Sequence, residues 1–190
     1  MKVILLNPPT SDNKKFIREG RCTQEQGVWA TLWPPISLAT IGAVLEEAGH
    51  EVKILDCAAL EIKRDELGRL IKYFSPQVVI WSTGTPSIES DLELASFIKG
   101  CNNKIFTAVF GTHVTVLGRR CMESFPELDY IIRNEPEMTS RELVNKLKEG
   151  KDVKDVLGIT FRNSAGEIIE NPPGPLLKNW IAYHYRHGTW

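Results

Sequence analysis

Nowhere in these 190 residues is there an apolar run approaching the roughly 20 residues that span a bilayer. The run nearest the start, Val3-Ile4-Leu5-Leu6, is too short for a secretory leader, and Asn7-Pro8-Pro9 follows it instead of a small-residue cleavage site. A soluble, cytoplasmic protein with no membrane partner is expected. Charge of one sign is also lacking: 23 Lys and Arg against 24 Asp and Glu leave a formal net charge of −1, without any basic block. That excludes the electrostatic footprint of a nucleic-acid binder. The cysteines, at 22, 57, 101 and 121, never form a C-x-x-C pair, so a zinc ribbon, a thioredoxin-type site and an iron–sulfur cluster within the chain are excluded. They read as reduced thiols. There is no G-x-S-x-G elbow, no H-E-x-x-H, no G-x-x-x-x-G-K-[ST] and no G-x-G-x-x-G after the first strand. No catalytic residue and no metal site emerges, and ATP, NAD and self-contained hydrolytic chemistry lose their usual signatures.

What the sequence does contain is a repeated alternation of short apolar runs and helical patterns. Strands are expected at 3–7, 51–55, 78–81, 104–110 and 128–132. Val78-Val79-Ile80-Trp81 suits a strand buried on both faces, being apolar throughout and rich in β-branched residues. Helices are expected near 37–48 with Ser37 as N-cap, 60–74, 88–99, 116–123 and from 138 to about 148. Parallel neighbours need crossovers and the helices supply them. The fold class is therefore α/β: a doubly wound, flavodoxin-like (Rossmann-like), five-stranded parallel sheet of order 2-1-3-4-5, with a ligand crevice expected between the loops after strands one and three.

Residues 1–150 make this domain. From 151 to 175 the pattern becomes a β-hairpin (157–162 and 167–170, turning at Asn163-Ser164-Ala165-Gly166) and a Pro-rich linker. The tail 176–190 is aromatic, with Trp180, Tyr183, Tyr185 and Trp190, and reads as the start of another element. The long loop between Pro9 and residue 36 carries Phe16, Val28, Trp29, Leu32 and Trp33, which are expected to pack.

Four loops fall on the carboxyl edge of such a sheet: Asn7-Pro8-Pro9, Ser82-Thr83-Gly84-Thr85, Gly111-Thr112-His113-Val114 and Asn134-Glu135-Pro136-Glu137. Helices that begin after them present free amides, which suits phosphates and amide-bearing ligands. The hydroxyls of Ser82, Thr83 and Thr85 serve equally as helix caps. His113 reads as a hydrogen-bonded or solvated loop side chain or as a ligand, and Glu135 and Glu137 as an acid–base pair or as acidic residues favoured at a helix start.

Asn7-Pro8-Pro9, Pro34-Pro35-Ile36-Ser37-Leu38-Ala39, Gly49-His50-Glu51-Val52, Gly111-Thr112-His113-Val114-Thr115 and Asn134-Glu135-Pro136-Glu137, in that order, resemble one family. It is the cobalamin (B12)-binding domain of B12-dependent radical S-adenosylmethionine enzymes, most like the anaerobic magnesium-protoporphyrin IX monomethyl ester cyclase type, which would place the chain in tetrapyrrole biosynthesis. The resemblance covers about residues 1–175. It implies that Ser82, Thr83, Gly84, Thr85, Gly111, Thr112, His113 and Val114 line cobalamin, with Asn7, Pro8, Pro9, Asn134, Glu135, Pro136 and Glu137 flanking it. Two departures are Thr112 where a second glycine is usual and Asn134 where glycine is common. The D-x-H-x-x-G motif that supplies an axial histidine in other cobalamin domains is absent, so the resemblance implies cobalamin held without that ligand. The C-x-x-x-C-x-x-C that holds a [4Fe–4S] cluster is absent too. The cluster and S-adenosylmethionine would belong to a barrel in cis or in trans. The alternative is a flavodoxin-like binding or signalling domain without corrinoid.

Overall fold

The computed structural model describes residues 1–11, 14–19, 24–25 and 33–175. In chain order the elements are β1 (Lys2–Asn7), β2 (Phe16–Ile17), β3 (Gln24–Glu25), α1 (Ile36–Glu47), β4 (Glu51–Asp56), α2 (Arg64–Phe74), β5 (Val78–Ser82), α3 (Ile88–Cys101), β6 (Phe106–Phe110), α4 (Thr112–Ser124), β7 (Tyr130–Ile132), α5 (Pro136–Lys148), β8 (Ile159–Arg162) and β9 (Ile168–Glu170).

The five parallel strands lie in the order β4-β1-β5-β6-β7, which is the expected 2-1-3-4-5. The hairpin is present and continues the same sheet: β8 pairs antiparallel with β7, and β9 with β8, giving seven strands. β2 and β3 form a separate small ribbon inside the long loop.

Period-two alternation feeds two cores from single strands. Val3, Leu5, Val78 and Ile80 pack under α1 and α5 with Leu38, Ile41, Leu143 and Val144. Ile4, Leu6, Val79 and Trp81 face α2, α3 and α4 with Leu67, Ile71, Leu92, Ile98 and Met122. Because both faces are covered, the central strands are apolar without a break. Burying a Leu or Ile side chain in such a core contributes about 2 kcal/mol.

Several boundaries depart from the sequence reading. Ser37 is not the N-cap of α1, since Pro35 holds that position without a side-chain bond. Ser37 sits in the first turn, where its N–H and Oγ–H donate to the Glu19 carboxylate, so an acid from the long loop satisfies the helix start. α2 begins at Arg64 rather than residue 60. α4 begins at Thr112 rather than 116, with a kink at Leu117 (φ −110°, ψ 24°), so Thr112 to Thr115 form its first turn. Phe16 is buried as expected, whereas Trp33 is 60% exposed. Val28, Trp29, Leu32, Cys22 and the tail 176–190 lie outside the described residues.

Gly49 ends α1 in the left-handed region (φ +75°), and the next residue, His50, knots three elements together. Its Nδ1 lies 3.2 Å from the Met1 amino group and its Nε2 2.9 Å from Asn145 Oδ1 of α5. A neutral ring fits both: Nδ1 accepts from the ammonium while Nε2–H donates. Burial pushes the imidazole pKa down; the Asn145 bond partly restores it, and the Met1 and Lys148 charges lower it further. A depressed histidine pKa contributes stability that is present above the unfolded value of about 6.5 and is lost as pH falls through the folded value. Glu19, whose carboxyl is raised by burial, works in the opposite sense. The His50 contribution to the thermal midpoint should therefore shrink between about pH 7.5 and about pH 5, so that the difference between wild type and His50→Gln changes across that range; a variant curve parallel to wild type would exclude His50 as a source of pH dependence.

Candidate functional site

The loops at the carboxyl ends of β5, β6 and β7 enclose a cleft of about 570 Å³. Ser82 to Pro86 form one wall and Phe110 to Thr115 the other, with Asn134 and Pro136, Ser37 at the start of α1, and Arg18 closing the ends.

Two contacts join the walls. Thr83 donates both its N–H and its Oγ1–H to the Phe110 carbonyl, at 2.9 and 3.0 Å. Gly111 then passes so close that a Cβ on it would lie 2.6 Å from both the carbonyl oxygen and Oγ1 of Thr83, at a φ of +142° that side chains rarely adopt. None of Ser82, Thr83 or Thr85 caps a helix. Thr83 staples the loops, and Ser82 Oγ makes no hydrogen bond among the described residues while lining the cleft.

The task of shaping the β5 loop falls to a residue of α3. Asp91, fully buried, reaches back so that its Oδ2 accepts from Gly84 N–H at 3.0 Å and from Ser87 Oγ–H at 2.8 Å. Its other partner comes from the long loop: Arg18 donates Nε–H to Oδ2 at 3.1 Å and an Nη2 proton to Oδ1 at 2.6 Å. Both side chains are hidden, at 2% and 0% exposure, and this two-point geometry is what a buried charge pair requires. Arg18 also donates to Asn7 Oδ1 at 2.9 Å and to the Pro8 carbonyl at 3.2 Å, and Asn7 Nδ2–H in turn donates to Asp56 Oδ1 at 2.8 Å.

This network divides the crevice. The sequence places it between the loops after the first and third strands, and a hollow of about 420 Å³ lies there, between Thr10 and Ser11 on one side and Thr85 to Ser90 on the other; the cleft of about 570 Å³ opens over β5, β6 and β7, with Arg18 at its end. Asn7 is buried beneath Arg18, and Pro8 and Pro9 border a separate hollow of about 200 Å³ beside Cys57 and Lys63.

The other singled-out residues divide. Ser82, Thr83, Gly84, Thr85, Gly111, Thr112, His113, Asn134 and Pro136 come together around the cleft. Val114 points into the core, and Glu135 and Glu137 stand outside the lining. Glu137 turns to α1, where its Oε1 accepts from Thr40 Oγ1 at 3.1 Å, so the two carboxylates do not form a pair on the cleft. His113 Nδ1 lies 3.4 Å from Thr85 Oγ1, and no group of three or more potential metal ligands occurs among the described residues. Burial lifts the Cys57 thiol to about 12 and raises Cys101 and Cys121, which makes all three poor nucleophiles at neutral pH.

Sequence reading missed Arg18, Ser37, Pro86, Phe110 and Thr115 as lining residues. The one signal available was Ser87 and Asp91 at an i, i+4 spacing just inside a helix. Nothing in sequence pointed to Arg18 as their partner. With Arg18 matched by Asp91, the cleft presents hydroxyls, amides and apolar carbon and little net charge.

The B12 binding domain family matches residues 27–144, which include the β5, β6 and β7 loops. The chain belongs to the B12-binding domain family. A methyltransferase of Pyrococcus horikoshii, itself uncharacterised, is 31% identical over 179 residues, covering 94% of this chain and 36% of its own length. The anaerobic magnesium-protoporphyrin IX monomethyl ester cyclase of Synechocystis is 28% identical, covering 96% and 35%. Cytidylyl-2-hydroxyethylphosphonate methyltransferase of Streptomyces wedmorensis is 28% identical, covering 94% and 34%. The chain thus spans about a third of the length of these relatives. Among solved structures, the fold is shared with the cobalamin-dependent radical enzyme OxsB with aqua-cobalamin bound (TM-score 0.72, 18% identity, 92% of this chain and 22% of that one). It is shared also with the radical methyltransferase TsrM of Kitasatospora setae with cobalamin and a [4Fe-4S] cluster bound (TM-score 0.66, 19% identity, 94% and 30%). This B12-binding domain has no C-x-x-x-C-x-x-C run and no radical S-adenosylmethionine barrel in its 190 residues. No helix among the described residues is long and apolar enough to cross a membrane.

Two backbone positions in the domain are open to test. Gly111→Ala should cost about 2 to 4 kcal/mol in urea unfolding, because the methyl group meets backbone and the φ is strained. Asn134 occupies the left-handed region (φ 63°) that a glycine would adopt freely, and asparagine tolerates it. Asn134→Gly should stay within about 0.5 kcal/mol of wild type while Asn134→Val loses about 1 to 2 kcal/mol; equal midpoints for both variants would contradict a strained backbone there.

Proposed function

We propose that this domain binds cobalamin in the cleft between the β5 and β6 loops and serves as the corrinoid module of a radical S-adenosylmethionine methyltransferase or cyclase. The observation that carries the reading is that both walls, 82–86 and 110–115, lie within the matched residues 27–144 and converge at the carboxyl edge of the sheet. The methyltransferase and cyclase relatives supply the two reaction kinds, and the radical S-adenosylmethionine enzymes that share the fold support pairing with a radical barrel, in cis or in trans. Tetrapyrrole biosynthesis is the narrower assignment suggested by the cyclase relatives. Reduced thiols at Cys57, Cys101 and Cys121 suit a cytoplasmic setting.

The residues present fit the group. A corrinoid carries neutral amides around its ring and a phosphodiester in its tail, and the cleft offers uncharged partners in Ser82 Oγ, Thr85, Thr112 and Asn134. Gly111 keeps the floor low where a Cβ would crowd Thr83. The amides of the first turn of α4 face the same space, which favours an anionic or carbonyl oxygen there. Bound cobalamin would supply a cobalt centre able to carry a methyl group. The chain's part is to hold it: Asn7 is committed to Arg18 and Asp56, so Asn7, at the end of β1, is not free for axial ligation.

Mixing the protein with hydroxocobalamin, removing free ligand by gel filtration and recording the visible spectrum tests the reading. Retained corrin absorbance in equal proportion to protein is expected; none at high micromolar ligand would overturn it in favour of a flavodoxin-like domain without corrinoid. His113→Ala should leave the bands of the bound cofactor in place, and a clear shift would make His113 an axial ligand.

A further inference from the structure

The long loop between β1 and α1 reaches the sheet through two adjacent side chains of opposite charge. Glu19 satisfies the start of α1 through Ser37, and Arg18 enters the crevice over β1 to meet Asp91. Asp91 is the shared element. On one side it fixes Gly84 in the cleft wall and Ser87 just beyond that wall; on the other it holds the guanidinium that closes one end of the cleft. Among the described residues no other cation is bonded to Asp91, and Arg18 gives its Nη1 donors to Asn7 and Pro8. Opening the loop would leave a carboxylate buried without its counter-charge, which is strongly unfavourable.

We propose that Arg18 and Asp91 form a latch: closure of the 14–19 segment and the shape of the Gly84–Pro86 wall are one event, and Arg18 is a positioning residue for the ligand of the cleft. The inference rests on reading the cleft as the corrinoid site. With the latch closed, the wall is held by a carboxylate whose partners are all satisfied and the cleft keeps its end wall. With it open, the Gly84 amide and Ser87 hydroxyl share an unbalanced charge and the end wall is lost, so bound ligand leaves faster.

The test compares wild type with Arg18→Lys, Arg18→Met, Asp91→Asn, Arg18→Met/Asp91→Asn and Ser87→Ala. Two readouts are taken: the release rate of hydroxocobalamin into excess competitor, and the rate of tryptic cleavage after Lys15 with and without ligand. Arg18→Met should release the cofactor about 10 to 100 times faster, as expected for losing charge-assisted hydrogen bonds, and Arg18→Lys should recover part of the loss. Cleavage after Lys15 should accelerate in Arg18→Met and slow in loaded wild type. The double variant, having lost both charges, should be less impaired than the two changes added independently. A merely structural role would alter unfolding without linking Lys15 cleavage to ligand.

If wild type retains the corrinoid while Arg18→Met releases it at the same rate and is cut no faster, the latch is refuted and the cofactor reading stands. If wild type retains none, the cofactor reading and the positioning role fail together, and Lys15 cleavage in the unloaded proteins decides whether the latch itself exists. Should Arg18→Met fail to fold by circular dichroism, Ser87→Ala takes its place, since it removes one bond to Asp91 and no charge. It should release ligand several-fold faster, about the effect of one hydrogen bond, and unchanged release would refute the proposal.

Discussion

One carboxylate, that of Asp91, sets the shape of the sheet's carboxyl edge. A carboxylate with no solvent exposure must have its acceptor sites filled, and here they are filled by groups from three parts of the chain: Arg18 of the long loop, Gly84 of the β5 turn and Ser87 entering α3. Trp81, the last large side chain of β5, adds an indole N–H to the Asp91 carbonyl at 2.9 Å, so the same residue is anchored from below. Since every donor lies on a different element, none can move alone without uncovering charge. A buried ion pair of this kind stabilises a fold less than apolar packing of the same volume would, and its effect is specificity of arrangement. The arrangement specified here is a loop conformation beside a cleft.

The two apolar cores do the work of stability and leave the edge free for this role. Strand residues alternate between the α1/α5 face and the α2/α3/α4 face, so the sheet is held without help from the loops. The carboxyl edge could then be built from small residues. Thr83 bonds Phe110 twice and Gly111 lies against it, which brings the ends of β5 and β6 into one surface. His50 does similar work at the opposite edge, joining Met1, α1 and α5 through a neutral ring.

Much of this was legible in the sequence, and the unread parts have a common physical cause. Strand order, both helical layers and the hairpin follow from period-two and helical spacing, which are local, and from crossover rules. Nine of the fifteen expected site residues line the cleft because they follow strand ends, which are also local. Val114 was misplaced because α4 starts at Thr112: in a helix, successive residues point in different directions, and Val114 turns to the core while its neighbours face the cleft. Ser37 was read as a cap because a cap is recognised from its own segment, whereas the group that satisfies α1 is Glu19, 18 residues away. Asn7 to Pro9 failed to reach the cleft for the same kind of reason, since the residue that covers them, Arg18, carries no motif. Long-range polar pairs leave no periodic trace, so a network centred on Asp91 could not be read from spacing.

The Asp91 network also fixes what the end of the first strand can offer a ligand. In an open α/β sheet the loop after the first strand sits at the switch point, where a side chain could most easily reach a ligand. Here Asn7, the last residue of that strand, is consumed on both ends of its amide, by Arg18 and by Asp56, and lies 7% exposed. Two prolines follow, which offer neither a side-chain donor nor an amide N–H. The loop is therefore a foundation for Arg18, and Arg18 is the group that reaches the cleft. A ligand seated there meets a guanidinium whose charge is already matched and a surface of hydroxyls and amides. Such a surface can hold a large, amide-rimmed ligand by many modest bonds, with orientation set by the fixed hydroxyls and amides of the two walls.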